Sequence, residues 1–249
     1  MNTILITGCS SGFGLETARL FLDRGWNVVA TMRTPRPEML PASGRLRVLP
    51  LDVTDVDSIR RAVEAAGRID VLVNNAGFGL PSPGELVPLA QVRDAFETNT
   101  IGTIAMTQAV LPQMRERGTG VIVNVTSSVT LKPLPLISAY RASKAATDAF
   151  TESLALEVAP FGVRVHLVLP GSSPDTRFRD NARRRLSGMD HPAYAGFAQQ
   201  VMQRMLDPHK LVTHPADVAE AAWRAATDAS APLRLPAGAD AVAWAAEAA

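Results

Sequence analysis

The chain has 249 residues, of which 47% are hydrophobic and 20% charged, and its formal net charge is +1. That composition suits one packed globule and excludes a disordered chain, and the balanced charge gives no reason to invoke nucleic acid or an anionic membrane as partner. A single cysteine, Cys9, excludes an internal disulfide and agrees with a reducing cytoplasm.

In chain order, short β-branched runs alternate with longer amphipathic stretches. Strands are expected at 3–7, 27–31, 46–51, 71–73, 120–125 and 163–169, and helices near 13–24, 55–66, 89–117, 138–159 and 215–228. Ile4-Leu5-Ile6 is too short for a signal peptide, and no stretch reaches the roughly 20 apolar residues of a membrane span. A soluble, cytoplasmic protein is therefore expected. Several strands are apolar on both faces, which places them inside a parallel sheet covered by helices. The whole pattern predicts a single α/β domain over 1–249. Its sheet is doubly wound and mainly parallel, with about seven strands and helices on both faces. Pro35–Gly44 reads as a loop, residues 174–213 as an arginine-bearing insertion placed to cover a ligand crevice, and Ala237–Ala249 as a frayed helix or an arm.

Thr7-Gly8-Cys9-Ser10-Ser11-Gly12-Phe13-Gly14 follows the first strand and opens the first helix. Gly8 permits a tight turn, Gly12 admits backbone close to a pyrophosphate, and Gly14 allows helix and strand to pack closely. Free N–H groups and the positive helix end then hold phosphate, which makes the domain a dinucleotide-binding Rossmann fold. The second strand runs Val28-Val29-Ala30-Thr31-Met32-Arg33 with no acid to take ribose hydroxyls. Arg33, with Ser10 and Thr31, is the expected 2′-phosphate site and indicates NADP(H); the alternative is an ordinary loop arginine. Asp52-Val53 ends the third strand, where Asp52 accepts from an adenine amino group or caps a helix, although Asp55 is better placed to cap.

Tyr140 and Lys144 stand four residues apart on a predicted helix and share one face. An ammonium beside a phenol favours the phenolate, so the Tyr140 pKa is expected to fall toward working pH, where the residue exchanges protons with a carbonyl or alcohol.

The glycine loop, Asn74-Asn75-Ala76-Gly77, Asn99, Ser127 and Tyr140-x-x-x-Lys144 together resemble the short-chain dehydrogenase/reductase family over essentially the whole chain. The branch they resemble is NADP-preferring and 17β-hydroxysteroid dehydrogenase-like. The resemblance implies Tyr140 as general acid/base and Lys144 as holder of the nicotinamide ribose. It also implies Ser127, rather than Ser128, as partner of the substrate oxygen, and Asn99 as the seat of a proton-relaying water. It places Ser11, Phe13, Asn75, Ala76 and Gly77 on the cofactor, with Pro170, Gly171, Ser172 and Thr176 beyond the sixth strand. There the chain departs from the family's Pro-Gly-x-Val-x-Thr: Pro170–Thr176 is one residue longer and lacks the valine, which displaces the backbone donors near Ser172.

The substrate pocket is expected to use Phe78, Ser127, Leu131 and Tyr140, with Gly79, Leu80, Lys132 and Pro133 beside them. His166 reads as a core residue. His191, His209 and His214 lack zinc spacing, so no metal is expected, and Trp26, Trp223 and Trp244 read as packing. Small residues Ala142, Ala145, Ala146 and Ala149 on the Tyr140 helix predict a homodimer or homotetramer. The activity this implies is NADP(H)-dependent interconversion of a carbonyl and an alcohol on a small, hydrophobic substrate. The alternatives are an NADP(H)-binding sensor or scaffold without turnover and an NAD-dependent alcohol dehydrogenase.

Overall fold

The computed structural model describes residues 1–205 and 210–248. Seven parallel strands form one sheet. They are β1 (Thr3–Ile6), β2 (Asn27–Met32), β3 (Leu46–Pro50), β4 (Val71–Asn74), β5 (Gly120–Val125), β6 (Val163–Pro170) and β7 (Arg234–Ala237), in the spatial order β3-β2-β1-β4-β5-β6-β7. Every neighbouring pair is parallel, so the expected mainly parallel sheet is parallel throughout.

Side chains of a strand point to alternate faces, and the core divides accordingly. Ile4 and Ile6 of β1 join Val28, Ala30 and Val73 on one face, under α1 (Gly12–Asp23) and α8 (Pro215–Thr227). Leu5 joins Val29, Leu72 and Ile122 on the other. That second face lies under α2 (Val56–Ala66), α4 (Gly102–Arg117) and α5 (Ser138–Val158). On the first face Phe21 packs between Trp26 and Trp223, with ring centroids 5.1 Å from each. Those two tryptophans are the packing residues the sequence predicted.

The helical stretch expected at 89–117 is two helices, α3 (Leu89–Phe96) and α4, joined by one π-turn over Glu97–Ile101 that buries Asn99 and Thr100. The expected insertion contains α6 (Phe178–Arg183) and α7 (Ala195–Met205). The Ala-rich tail is not an arm: Ala237 ends β7, and the helix α9 (Ala239–Ala248) packs on β7 and buries Asp240 and Ala241. No helix among the described residues is long and apolar enough to cross a membrane.

Strand order reverses beside β1, whose neighbours are β2 and β4. Connections leaving the two halves in opposite directions open a crevice at the carboxyl ends of these strands. A cleft of about 1350 Å³ lies there, lined by the glycine loop, Arg33, Tyr140, Lys144 and the insertion.

Candidate active site

The glycine loop is locked to the segment after β4. Thr7 Oγ1 accepts from the backbone N–H of Asn75 and of Ala76, both at 2.9 Å, and Asn75 Nδ2 donates to the carbonyls of Thr7 (2.9 Å) and Gly8 (3.3 Å). Asn75 is thus a brace of the loop through its side chain. Gly8 has φ +76°, and a Cβ there would sit 2.9 Å from Ala76 Cα, so both conformation and space require glycine. The helix that follows begins without a side-chain cap: Ser11 is extended and makes no bond to the first-turn N–H groups. By contrast, Asp55 caps α2 by accepting from Asp57 N and Ser58 N. The start of α1 therefore presents backbone donors and the positive end of its dipole at Ser10–Phe13, on the cleft wall, which suits a pyrophosphate.

At the far end of the cleft Arg33 is exposed beside Asp52. The Thr54 backbone N–H and hydroxyl bond to Asp52 Oδ1 at 3.0 and 2.7 Å. The backbone bond chiefly, with the Thr54 hydroxyl and the Arg33 guanidinium, holds the Asp52 carboxyl below the usual carboxylate range. Val53 lines the same wall. Thr31 is not part of a phosphate site: it is fully buried, and its hydroxyl donates to Ile6 O at 2.9 Å. Arg36, which sequence reasoning missed, reaches the glycine loop: its Nη2 donates to the Ser10 carbonyl at 3.3 Å.

One turn of α5 separates Tyr140 and Lys144, and both are buried, at 6% and 5% exposure. Ser127 lies on the same cleft wall, where its hydroxyl accepts from Val129 N at 3.4 Å and acts to lower the Tyr140 phenol. Ser128 is buried with its hydroxyl unpaired, and it lines the cleft together with Ser127. Lys144 Nζ donates to the Val125 carbonyl at 3.0 Å. Gly77 lets the chain pass: a Cβ there would lie 2.8 Å from Asn99 Oδ1 and 3.3 Å from Lys144 Nζ.

The electrostatics reverse one expectation. Burial raises the Tyr140 phenol to about 12, outweighing the Ser127 hydrogen bond, which lowers it. Burial also brings Lys144 down to about 8, against the pull of Asp148. Desolvation thus outweighs the help an ammonium gives a phenolate, and Lys144 directs its proton at a carbonyl. In the free protein Tyr140 is a protonated phenol at neutral pH.

Asn99 has both amide protons committed, to the Phe78 carbonyl (3.1 Å) and Ser143 Oγ (3.0 Å), while its Oδ1 accepts from Phe78 N. Its own carbonyl accepts from the hydroxyls of Thr103 and Thr147. These contacts make it a brace for Phe78 and α5. They are the bonds of a helix-interior asparagine.

The short chain dehydrogenase family model matches residues 2–186. The chain belongs to the short-chain dehydrogenase family. It is accordingly an oxidoreductase of the CH–OH/C=O class. It is 43% identical over 182 residues to a 3-ketodihydrosphingosine reductase of Bacteroides thetaiotaomicron, covering 72% of this chain and 66% of that one. Over 250 residues it is 35% identical to retinol dehydrogenase 8 of Bos taurus, covering 93% and 80%. Among solved structures, a short-chain dehydrogenase of Streptomyces avermitilis superposes with TM-score 0.84 at 36% identity, covering 99% of this chain and 92% of that one.

In this short-chain dehydrogenase Phe78, Gly79, Leu80, Ser127 and Tyr140 line the cleft as expected, but the rest of the expected wall does not. Leu131, Lys132 and Pro133 lie off the cleft, and Leu134, Leu136 and Ile137 line it instead. The turn at Ser128–Thr130 carries Lys132 away to pair with Glu247 on α9 at 2.6 Å. Trp244 of α9 also lines the cleft, and so is not the packing residue expected. The insertion covers Tyr140 from above, with the Phe178 ring 5.9 Å from its ring and Arg185 stacked 4.1 Å over Phe78.

Pro170–Thr176 is held by residues from the C-terminal end of the chain. Gly171 N donates to Thr213 Oγ1 (2.9 Å) and Ser172 N to Asp240 Oδ2 (2.6 Å), so these two N–H groups are not free for a carboxamide. Gly171 and Ser172 both still line the cleft. Thr176 packs instead against Gly12, where a Cβ would meet it at 3.2 Å. Asp240 and Thr213 were missed because neither stands in a motif; they act only through contacts made by folding. His166 is a core residue as expected, its Nδ1 2.9 Å from the Pro232 carbonyl. Among the described residues no cluster can hold a metal. His191 contacts Tyr194, His214 begins α8 beside Asp175, and His209 lies outside the described residues.

Proposed function

We propose that this short-chain dehydrogenase is an NADP(H)-dependent carbonyl reductase acting on an apolar ketone or aldehyde. The observation that carries the reading is the protonated Tyr140 phenol with the Ser127 hydroxyl on the same cleft wall, and Lys144 one turn behind. The two hydroxyls form a fork for one carbonyl oxygen. As negative charge develops on that oxygen, Ser127 stabilises it by hydrogen bonding and Tyr140 delivers a proton. Lys144, charged below about 8, offsets the negative charge left on the phenol. Bound NADPH supplies the hydride. Asn99 contributes by fixing Phe78 and α5.

The site fits that cofactor: the uncapped start of α1 suits the pyrophosphate, and Arg33 with Arg36 suits a 2′-phosphate. Solved relatives include serine dehydrogenase complexed with NADP+ at 29% identity and a 3-ketoacyl-(acyl-carrier-protein) reductase complexed with NADH at 28%. Relatives named as retinol, 17-beta-hydroxysteroid and 3-ketodihydrosphingosine enzymes support a substrate with a large apolar body. The insertion then acts as a lid, with Phe178 and Arg185 covering the bound substrate.

NADPH consumption across a panel of apolar ketones and aldehydes tests the reading, with NADH alongside. Arg33→Asp is expected to weaken NADPH about 30-fold or more while leaving NADH within a few-fold, since a charge-assisted phosphate contact contributes about 2 kcal/mol or more. Equal wild-type affinity for the two cofactors would remove the phosphate site. Tight NADPH binding without turnover on any compound would return the sensor reading.

The exposed face of α5, with Ala142, Ala145, Ala149 and Leu156, is the proposed contact of a homo-oligomer. Small side chains let two helices approach closely. Sedimentation equilibrium at micromolar concentration is expected to give a dimer or tetramer, and a monomer there counts against this face.

A further inference from the structure

One turn beyond Lys144 on α5 lies Asp148, a carboxylate with no part in the fork just described. Its residue is 5% exposed and lines no part of the cleft. Neither carboxylate oxygen has a hydrogen bond of ordinary length among the described residues. The Thr126 and Thr130 hydroxyls lie at longer range, and Arg234 Nη1 of β7 stands at 3.5 Å. A buried carboxylate that has an ion pair at 3.5 Å but no hydrogen bond is costly for a fold to keep. Such a group is retained when something nearby needs its charge. On the helix the i,i+4 spacing puts Asp148 on the same side as Lys144, and burial keeps solvent from screening the pair.

We propose that Asp148 is a positioning residue for catalysis, the buried counter-charge that keeps the Lys144 ammonium charged beneath Tyr140. The assignment of a catalytic consequence rests on the proposed role of Lys144; the electrostatic coupling does not.

The groups around the pair are few. Tyr140 lies one turn on the amino side of Lys144 and Glu152 one turn on the carboxyl side of Asp148. Arg234 reaches Asp148 and Glu152 together from β7. His166 of β6 is turned to the Pro232 carbonyl and Arg164. Burial lowers Lys144 to about 8, and Asp148 is the charge that opposes this. Burial likewise raises the Asp148 carboxyl, with Thr130, Thr126, Arg234 and Lys144 acting against it. Asp148 also acts to raise Tyr140. The signs are therefore fixed. Removing the carboxylate lowers both pKa values; removing Arg234 while keeping the carboxylate raises that of Lys144.

The chain contains three lysines, Lys132, Lys144 and Lys210, so carbon-13 labelling of lysine gives a spectrum that can be titrated directly. Lys144→Arg identifies the signal by its disappearance. In the cofactor-free protein the Lys144 midpoint is expected near about 8. Asp148→Asn lowers it by about half a pH unit or more, and Arg234→Gln moves it upward. A midpoint unchanged in Asp148→Asn overturns the proposal, and so does a downward shift in Arg234→Gln. A purely structural role, tying β7 to α5, would move both variants together or neither. If Asp148→Asn does not fold, Arg234→Gln still decides, and Asp148→Glu is expected to hold the midpoint near the wild-type value. In turnover, the alkaline limb of kcat falls to lower pH in Asp148→Asn with KM nearly unchanged. Because the titration needs neither NADPH nor substrate, failure of the reductase reading leaves it interpretable.

Discussion

Tyr140→Phe is expected to lower kcat for carbonyl reduction by about 1000-fold, within the roughly 100- to 10,000-fold range of positioned proton donors. At about 1.4 kcal/mol per decade this is on the order of 4 kcal/mol of transition-state stabilisation. The substitution removes one oxygen from a buried ring that packs among Leu80, Ala95 and Ile137, so the fold is expected to stay intact. The Ser127 hydroxyl keeps its bond from Val129 N, so the structural cost is expected to be small. NADPH affinity, followed by fluorescence titration, is expected to change little, and KM for the carbonyl by no more than a few-fold. Loss confined to kcat marks an interaction made in the transition state. Turnover within ten-fold of wild type would take the proton donor away from Tyr140.

The resting protonation state of the phenol follows from the same environment. With its phenol raised to about 12 by burial, free Tyr140 is an acid at neutral pH and a poor base. Carbonyl reduction uses the protonated form directly, whereas alcohol oxidation must first generate the phenolate. The Tyr140-x-x-x-Lys144 spacing identified the pair, but the sign of its pKa shift required the burial that only the fold supplies.

The same division runs through the rest of the molecule. β1 to β6 were legible because each is a run of β-branched or apolar residues flanked by turns. β7 was not: Arg234-Leu235-Pro236-Ala237 is short and contains proline, which an edge strand tolerates because one side of its ladder is unpaired. The π-turn at Glu97–Ile101 hides inside a helical composition and shows only in the bonds of Asn99. Gly8, Gly12 and Gly14 declared a phosphate loop through their spacing. Asp148, Asp240 and Thr213 stand in no motif, and their partners Arg234, Ser172 and Gly171 come from distant parts of the chain. Local patterns report local structure; a buried carboxylate becomes informative only once its surroundings are known.

Gly14→Ala is expected to weaken NADPH binding by at least ten-fold and to lower the melting temperature. The backbone itself would accept alanine, since Gly14 is helical and not in the left-handed region. Space is what forbids it. A Cβ at this position would lie 2.5 Å from Asn75 Nδ2 and 2.7 Å from the Gly8 carbonyl oxygen. One of these is backbone, and the other makes the bonds that join the loop to the end of β4, so neither yields cheaply. Overpacking of this kind costs about 1–3 kcal/mol, which for a chain of this length lowers Tm by roughly 2–10 °C. To make room the loop must move away from Asn75, and the N–H groups at the start of α1 move with it. Gly196→Ala is the matched control: that glycine is also helical, in α7, with nothing within 4 Å of the added carbon. Helix propensity there favours alanine by up to about 1 kcal/mol, so the variant is expected to be neutral or slightly stabilised. A Gly14→Ala protein that binds NADPH as wild type does would show that the loop repacks freely, and would separate the close approach of Asn75 from cofactor binding.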